Sequence, residues 1–184
     1  CGAGGSLKEL AIHLGLLARD QLTSPHEEAT VPSLTLKRYA ETKHLPIDFL
    51  EELGVRQVAY FKRPAVRIPY LDASGLEVAV RFRIALEGDR FRWKTRSKLH
   101  PYGLWLLGKA REAGYLILVE GESNAQTLWY HDIPALGIPG ASTWKAEWAA
   151  CIEGLEVFLW QEPDPGGEAL MQTVAKSVPH VRII

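Results

Sequence analysis

The sequence has little cysteine and no long apolar run, and both absences narrow the range of protein classes. Its two cysteines, Cys1 and Cys151, lie far apart and do not predict a disulfide framework, so we expect a reducing, cytoplasmic setting. No apolar stretch is long enough to cross a bilayer and no signal peptide is recognised, so no membrane partner is expected. The histidines lack metal-ligand spacing, and no Walker A sequence is present, which argues against an ATP-driven motor in this stretch.

The charge of the chain is small overall but unevenly distributed. The formal net charge is -1, yet residues 56–111 carry 13 lysines and arginines against four acids. Such a basic segment predicts a polyanionic partner. Apolar residues make up 47% of the chain, which is enough for a folded core.

Local patterns predict an α/β fold (α+β overall), in which a small helical and antiparallel basic module precedes a parallel βαβαβαβ sheet. In the first part, we predict helices at 6–16, 34–43 and 46–54, a polar linker at 19–33, and strands at 65–72, 77–86 and 90–95. In the second part, we predict strands at 115–119, 133–138, 156–161 and 180–184, and helices at 123–130, 143–152 and 167–177. Because the chain begins without methionine and ends directly after a strand, we expect a fragment of a longer protein.

The antiparallel strands carry basic residues at alternate positions. Successive strand residues point to opposite faces, so the pattern predicts an apolar back and a basic front. The front comprises Arg81, Arg83, Arg90, Arg92 and Lys94, and the back Val78, Val80, Phe82, Ile84, Phe91 and Trp93. A face of one charge sign suits a nucleic-acid track. The alternative is a strand face that is charged only for solubility or edge protection.

Carboxylates follow two of the predicted parallel strands where each strand ends. Glu120 and Glu122 come directly after the first apolar run, and Glu162 and Asp164 come after the third. Ligands of parallel α/β sheets bind beyond the carboxyl ends of the strands, and Mg²⁺ prefers oxygen donors. The pattern predicts a shared metal site, with ordinary solvated acidic turns as the alternative.

These acidic positions and their neighbours resemble a Toprim domain, the catalytic module of bacterial-type primases, type IA and II topoisomerases and some nucleases. The matching runs are 118–125 (LVEGESNA), 137–140 (GIPG) and 162–167 (EPDPGG). By this resemblance Glu120 matches the family's glutamate, and Glu162 and Asp164 match its two aspartates. The motif glycines are Gly121 and Gly167. The resemblance implies that the three acids are catalytic and hold Mg²⁺ or Mn²⁺ for nucleotidyl transfer.

Two positions depart from the family's pattern. Glu162 replaces the usual aspartate, so its carboxylate reaches one methylene further. Asn124 stands where primases often carry an aspartate, which removes one charge. Both departures leave open a Toprim protein with altered activity.

The beginning of the chain and its basic part resemble primases in particular. Residues 1–5 (CGAGG) look like the last ligand and following glycines of a primase zinc-binding domain, which makes Cys1 a candidate leftover ligand. A structural zinc needs four ligands, so no zinc is expected here. From this resemblance together with the basic front, we expect nucleic-acid or nucleotide contacts by Arg67, Arg81, Arg83, Arg92, Lys94 and Lys98. The domain boundaries that follow are 1–33 for the zinc-domain remnant, helix and linker, 34–111 for the basic subdomain of a primase core, and 112–184 for the Toprim domain.

Together these expectations indicate the catalytic core of a DNA primase of phage or mobile-element type. Such a core would make short RNA primers on single-stranded DNA from nucleoside triphosphates, with a replicative helicase as a further possible partner. A Toprim nuclease and a catalytically silent module that binds single-stranded DNA are the alternatives. A topoisomerase would need a tyrosine-bearing breakage domain, which nothing in the sequence supplies.

Overall fold

Two four-stranded sheets, one antiparallel and one parallel, make up most of the described chain. A computed structural model describes residues 33–184. The predicted helix at 6–16, almost all of the linker at 19–33 and the candidate zinc ligand Cys1 lie outside the described residues. Within residues 33–184, no helix combines the length and apolar character needed to span a membrane.

The antiparallel sheet follows two short helices. Helix α1 covers Leu36–Lys43, and helix α2 covers Ile47–Glu52. The Thr35 side chain caps α1 by accepting a hydrogen bond from the backbone N–H of Arg38 at 3.1 Å. The strands are β1 (Arg56–Tyr60), β2 (Arg63–Leu71), β3 (Glu77–Arg83) and β4 (Phe91–Trp93), paired in that order.

The parallel sheet follows a 3₁₀ turn at Leu104–Leu106 and helix α3 at Leu107–Ala113. Its elements are β5 (Tyr115–Glu120), α4 (Glu122–Tyr130), β6 (Ala135–Ile138), a 3₁₀ helix (Ala146–Ile152), β7 (Glu156–Leu159), α5 (Pro165–Ala175) and β8 (Arg182–Ile183). The strand order is β6-β5-β7-β8, with all neighbours parallel. Because β5 and β7 are adjacent, the loops that follow them open at the same edge of the sheet.

The predicted fold class is confirmed, with corrections to individual elements. The antiparallel sheet has four strands rather than three, because residues 56–60 form the edge strand β1. The helix predicted at 143–152 is a 3₁₀ helix that begins only at Ala146. Helix α3 was not predicted. The boundary proposed between residues 111 and 112 stays a prediction.

The predicted basic front is wrong for Arg81 and Arg83. The register pairs Arg81 with Trp93 and Arg83 with Phe91, so arginines and aromatic residues share one face. That inner face also carries the core residues of β2, and both arginines are buried. The alternation along each strand was correct, but the pairing of the strands placed these arginines inside.

One apolar core joins the two sheets. It contains residues of α1, the inner face of β2 and the parallel half, including Tyr39, Tyr70, Tyr102 and Val119. Buried hydrogen bonds cross the same boundary: the Tyr39 hydroxyl donates to Gln126 Oε1 at 2.6 Å, and Gln126 Nε2 donates to the Tyr102 hydroxyl at 3.0 Å. These satisfied polar contacts fix how the antiparallel sheet faces the carboxyl end of the parallel one.

Candidate active site

A pocket of about 400 Å³ lies between the two sheets, at the carboxyl end of β5 and β7. Acidic and amide side chains line one side, and basic side chains line the other. Its lining includes Glu120, Glu122, Asn124 and Glu162 from the parallel sheet, Arg81, Arg83, Arg90 and Phe91 from the antiparallel sheet, and Thr42 and Lys43 from α1. The predicted acids Glu120 and Glu162 therefore meet in one cavity.

The acidic side depends on backbone geometry at two glycines. Gly121 links β5 to α4 with a φ of +77°, a conformation that side chains disfavour. A Cβ on Gly137 would lie 2.6 Å from the Gly121 carbonyl oxygen, so only glycine lets β6 approach so closely. These two positions hold Glu120 at the sheet edge.

The loop after β7 brings Glu162 and Asp164 to the same edge. Glu162 Oε1 accepts a hydrogen bond from Asn124 Nδ2 at 2.9 Å. Asp164 caps α5, because its Oδ1 accepts from the Gly167 N–H at 2.8 Å. A Cβ on Gly167 would lie 2.1 Å from the Glu162 carbonyl oxygen, so this tight loop requires glycine. Asn124 thus orients Glu162, and Asp164 also has a structural task.

Like charges accumulate around Glu120. Burial raises the pKa of its carboxyl, and the nearby carboxylates of Glu162 and Asp164 raise it further. A backbone N–H of Ala141 and the charge of Arg90 act in the opposite direction but do not compensate. Three mutually repelling carboxylates favour the arrival of a cation.

The opposite wall concentrates positive charge. Burial lowers the pKa of Lys43, and the neighbouring Arg83 and Arg90 lower it further, while Glu162 opposes the shift. Burial and Arg90 likewise lower the pKa of Arg83. Basic side chains that lower one another's pKa in this way concentrate positive charge. Such a wall suits a polyanion such as a phosphate chain.

A buried ion pair closes the floor of the pocket. Arg81 Nη1 lies 2.8 Å from Glu122 Oε1, and the Tyr70 hydroxyl donates to the same oxygen. Glu122 is 1% exposed, and Arg81 also packs its guanidinium 3.8 Å from the centre of the Phe91 ring. Arg81 Nε and Glu122 Oε2 have no hydrogen-bond partner among residues 33–184. The pair connects β3 to α4 and holds the two walls together.

The remaining predicted nucleic-acid residues are distributed elsewhere. Arg67 pairs with Glu77, and Arg92 pairs with Asp89, both on the sheet face opposite the pocket. Lys94 lines a separate small cleft, and Lys98 lies between β4 and α3 without lining the pocket.

Sequence reasoning missed Lys43 and Arg90 as pocket residues. Lys43 lies at the end of a helix that looked purely structural. Arg90 was assigned to the basic front without a specific task. The one available signal was the basic residue at the end of α1, and it is too common to be informative.

The donor set fits a divalent ion that is shared with a phosphate. Carboxylate oxygens suit Mg²⁺ and Mn²⁺. Within residues 33–184, no group of three or more His, Cys, Asp or Glu side chains converges tightly enough to hold an ion alone. Mg²⁺ typically takes one or two carboxylates and completes its shell with water and phosphate oxygens, which this arrangement permits.

Sequence comparison finds a curated relative from a mycobacteriophage. No protein-family profile matches the chain. It is 28% identical over 127 residues to the Gene 57 protein of Mycobacterium phage D29, which covers 66% of this chain and 83% of the phage protein.

Structural comparison finds DNA primases. A DNA primase domain from Pseudomonas aeruginosa matches with a TM-score of 0.66 and 16% identity, over 97% of this chain and 70% of that one. The zinc-binding and RNA polymerase domains of Aquifex aeolicus primase match with a TM-score of 0.66 and 14% identity, over 80% of this chain and 48% of that one. A DnaG primase catalytic domain bound to single-stranded DNA matches with a TM-score of 0.60 and 15% identity, over 96% of this chain and 69% of that one.

These identities support a shared fold and nothing finer. The chain spans about half the length of the Aquifex aeolicus primase structure, so the whole enzyme's properties do not transfer with the match. The order of the two sheets along the chain agrees with the expectation from the sequence. The chain has the fold of bacterial and phage DNA primase catalytic cores.

Proposed function

We propose that the pocket carries out metal-dependent nucleotidyl transfer, as the catalytic core of a DNA primase that makes short RNA primers on single-stranded DNA. The observation that carries the proposal is the opposition of the two walls, with Glu120 and Glu162 facing Lys43, Arg83 and Arg90. A nucleoside triphosphate with a bound divalent ion presents the complementary charges. The likeness to a primase domain bound to single-stranded DNA supports the choice of template.

Each residue has a separate task in this proposal. Glu120 and Glu162 hold Mg²⁺ or Mn²⁺, and Asn124 keeps the Glu162 carboxylate turned towards it. When bound, the ion would neutralise charge on the transferring phosphate and activate the attacking hydroxyl. Arg83, Arg90 and Lys43 bind the phosphate chain, and Arg83 is held in position by hydrogen bonds that it donates to the carbonyl oxygens of Ala85 and Leu86.

Asp164 contributes mainly through its charge. Its Oδ1 is engaged by the Gly167 N–H, which leaves Oδ2 for an ion or for water. We therefore assign Asp164 to metal binding together with Glu120 and Glu162, as the sequence predicts, and to the loop that positions Glu162.

A primer-synthesis assay tests the proposal. The full chain, a single-stranded template, ribonucleoside triphosphates and Mg²⁺ should yield short RNA products that disappear on chelation. Glu120→Gln should reduce synthesis by at least about 100-fold, the scale of losing a key electrostatic contact. Glu168→Gln is the matched control, since Glu168 is exposed on α5 and should leave synthesis unchanged. Full activity of a folded Glu120→Gln variant would refute the metal mechanism.

A silent DNA-binding module is the second candidate, and one observation favours it. Asn124 occupies Glu162 Oε1 and brings no charge of its own. If this is the true function, the wild-type chain makes no product with Mg²⁺ or Mn²⁺ although it binds single-stranded DNA. Asn124→Asp would then add the missing charge and increase metal binding. Cleavage of a plasmid in the same buffer would instead identify a nuclease.

A further inference from the structure

A row of aromatic rings lies on the sheet face that points away from the pocket. Tyr60 contacts Phe61 with ring centres 4.7 Å apart, and Tyr60 contacts Phe82 at 4.9 Å. We call this surface the outer face, defined by Tyr60, Phe61, Lys62, Arg67, Phe82 and Arg92. It lies on the antiparallel sheet whose inner face carries Arg81 and Arg83.

Phe61 is exposed at the tip of the β1–β2 hairpin. Its relative exposure is 84%, the largest of the exposed apolar side chains among the described residues. Phe61 and Lys62 have φ values of +46° and +63°, as a two-residue hairpin turn requires, where glycine or asparagine is usual. Phenylalanine therefore strains the backbone here and gains almost no burial in return. Stabilisation of the fold therefore does not explain why position 61 is a phenylalanine.

Protection of the sheet edge does not explain it either. β1 is an edge strand, and edges are normally blunted by charges, proline or bulges. A protruding aromatic ring on an edge hairpin has the opposite effect, because it offers an apolar surface to other molecules. The ring is therefore best explained by a ligand that it contacts.

Positive charge flanks the aromatic row. The register places Arg67 directly opposite Phe82, and Phe82 directly opposite Arg92. Arg67 pairs with Glu77 and Arg92 with Asp89, but both pairs are partly or largely exposed. Exposed ion pairs contribute little, so a phosphate group can replace the carboxylate at small cost. Alternating rings and cations match the bases and phosphates of an unpaired strand.

We propose that the outer face binds single-stranded DNA, with bases stacking on Phe61 and Tyr60 and phosphates contacting Lys62, Arg67 and Arg92. This site is separate from the pocket, since the same strands present it on their opposite face. The proposal rests on the proposed function only in its choice of DNA. Strand β3 then contributes Phe82 to the DNA site on the outer face, and Arg81 and Arg83 to the pocket on the inner face.

Fluorescence anisotropy with a labelled oligothymidylate tests the site, in the presence of chelator and without nucleotides. Phe61→Gly removes the ring and relieves the turn, so the variant should unfold at the same or a higher urea concentration yet bind about tenfold more weakly. Phe61→Trp should bind at least as well as wild type. Phe61→Leu, which keeps an apolar side chain without a ring, should resemble Phe61→Gly.

Leu76→Ala is the matched control. Leu76 is 66% exposed in the next hairpin turn and lies outside the aromatic row, so its removal should not change binding. A fully base-paired duplex of the same sequence should bind the Phe61→Gly variant and wild type alike. Equal oligothymidylate binding by wild type and Phe61→Gly would overturn the inference, as would normal binding by Phe61→Leu.

The two proposals fail in distinguishable ways. Loss of Mg²⁺-dependent synthesis in Glu120→Gln with normal oligothymidylate binding supports the pocket and does not involve the outer face. If synthesis is absent in wild type but binding depends on Phe61, the outer face stands and the proposed function falls.

Discussion

The surroundings of Glu120 disfavour the charged form of its carboxyl group. Burial and the carboxylates of Glu162 and Asp164 raise its pKa above the ordinary range for a glutamate. The folded protein therefore keeps the proton of the Glu120 carboxyl group at a pH where the unfolded chain has lost it. Stability consequently decreases as the pH rises from the ordinary pKa of glutamate through the raised one.

At neutral pH, Glu120→Gln should therefore increase the free energy of unfolding. The amide removes the repulsion by the two neighbouring carboxylates while it keeps the shape of the side chain. At acidic pH, where the wild-type carboxyl is protonated, the advantage should disappear. Urea unfolding at both pH values measures this difference. A Glu120→Gln variant that is less stable than wild type at neutral pH would contradict the assigned environment.

Magnesium should reverse the order of stability at neutral pH, so that wild type becomes more stable than Glu120→Gln. A ligand that binds only the folded state stabilises it by mass action, so MgCl₂ should raise the melting temperature of wild type. Glu120→Gln should show little increase over the same titration. Glu168→Gln, with its exposed carboxylate removed, should respond as wild type does. An equal response of all three proteins would place the ion elsewhere.

The Arg81–Glu122 pair should be unusually sensitive to loss of one partner. Arg81→Met leaves the Glu122 carboxylate, which is 1% exposed, without its cation, and breaking a buried pair in this way costs about 3–5 kcal/mol. The double substitution Arg81→Met with Glu122→Leu removes both charges and should recover most of that loss. A urea double-mutant cycle measures the coupling. Additive effects of the two substitutions would show that the pair does not act as a unit.

At the scale of elements, the loop after β7 is the most constrained part of the site. Gly167→Ala would place a Cβ 2.1 Å from the Glu162 carbonyl oxygen, and the forced backbone shift should cost about 1–3 kcal/mol. It should also abolish the stabilisation by MgCl₂, because Glu162 and Asp164 move with the loop. Gly108→Ala is the matched control. A Cβ there meets nothing within 4 Å, and alanine favours the helix.

The parallel sheet was predictable because its strands are short apolar runs that end in glycines and acids. Leu116 and Leu118 are buried on one side of the sheet and Val119 on the other, so the strand forms a continuous apolar run that differs from a surface strand. The edge strand β1 was missed for the opposite reason. Its residues are largely exposed and only weakly alternate, so hydrophobic periodicity does not mark it.

The pocket could be predicted only in part, because register is not encoded locally. The sequence shows that Arg81 and Arg83 alternate with apolar residues. It does not show that β4 pairs so that Phe91 and Trp93 lie beside those arginines. Because of that pairing, the two arginines that were expected at the surface line the pocket. The packing of α1 against β2 places Lys43 in the pocket as well. Contacts between elements that are distant in sequence decided both outcomes.

At the scale of the whole molecule, charge is divided between the two sheets. Residues 112–184 carry three basic and ten acidic residues, whereas residues 56–111 carry 13 basic and four acidic ones. The near-zero net charge therefore conceals two regions of opposite sign. A polyanion should approach the antiparallel sheet and be repelled by the far side of the parallel one.

Single-stranded DNA binding should accordingly weaken steeply with salt and depend on the basic region alone. Each phosphate contact on a single strand contributes about 0.7 to the slope of log K against log salt concentration. Arg92→Gln should lower the slope by about that amount. Lys176→Gln, which removes an exposed charge from the parallel half, should leave it unchanged. Oligothymidylate titrations over a range of NaCl concentrations measure both slopes, and equal losses in the two variants would show that net charge, rather than the basic sheet, governs binding.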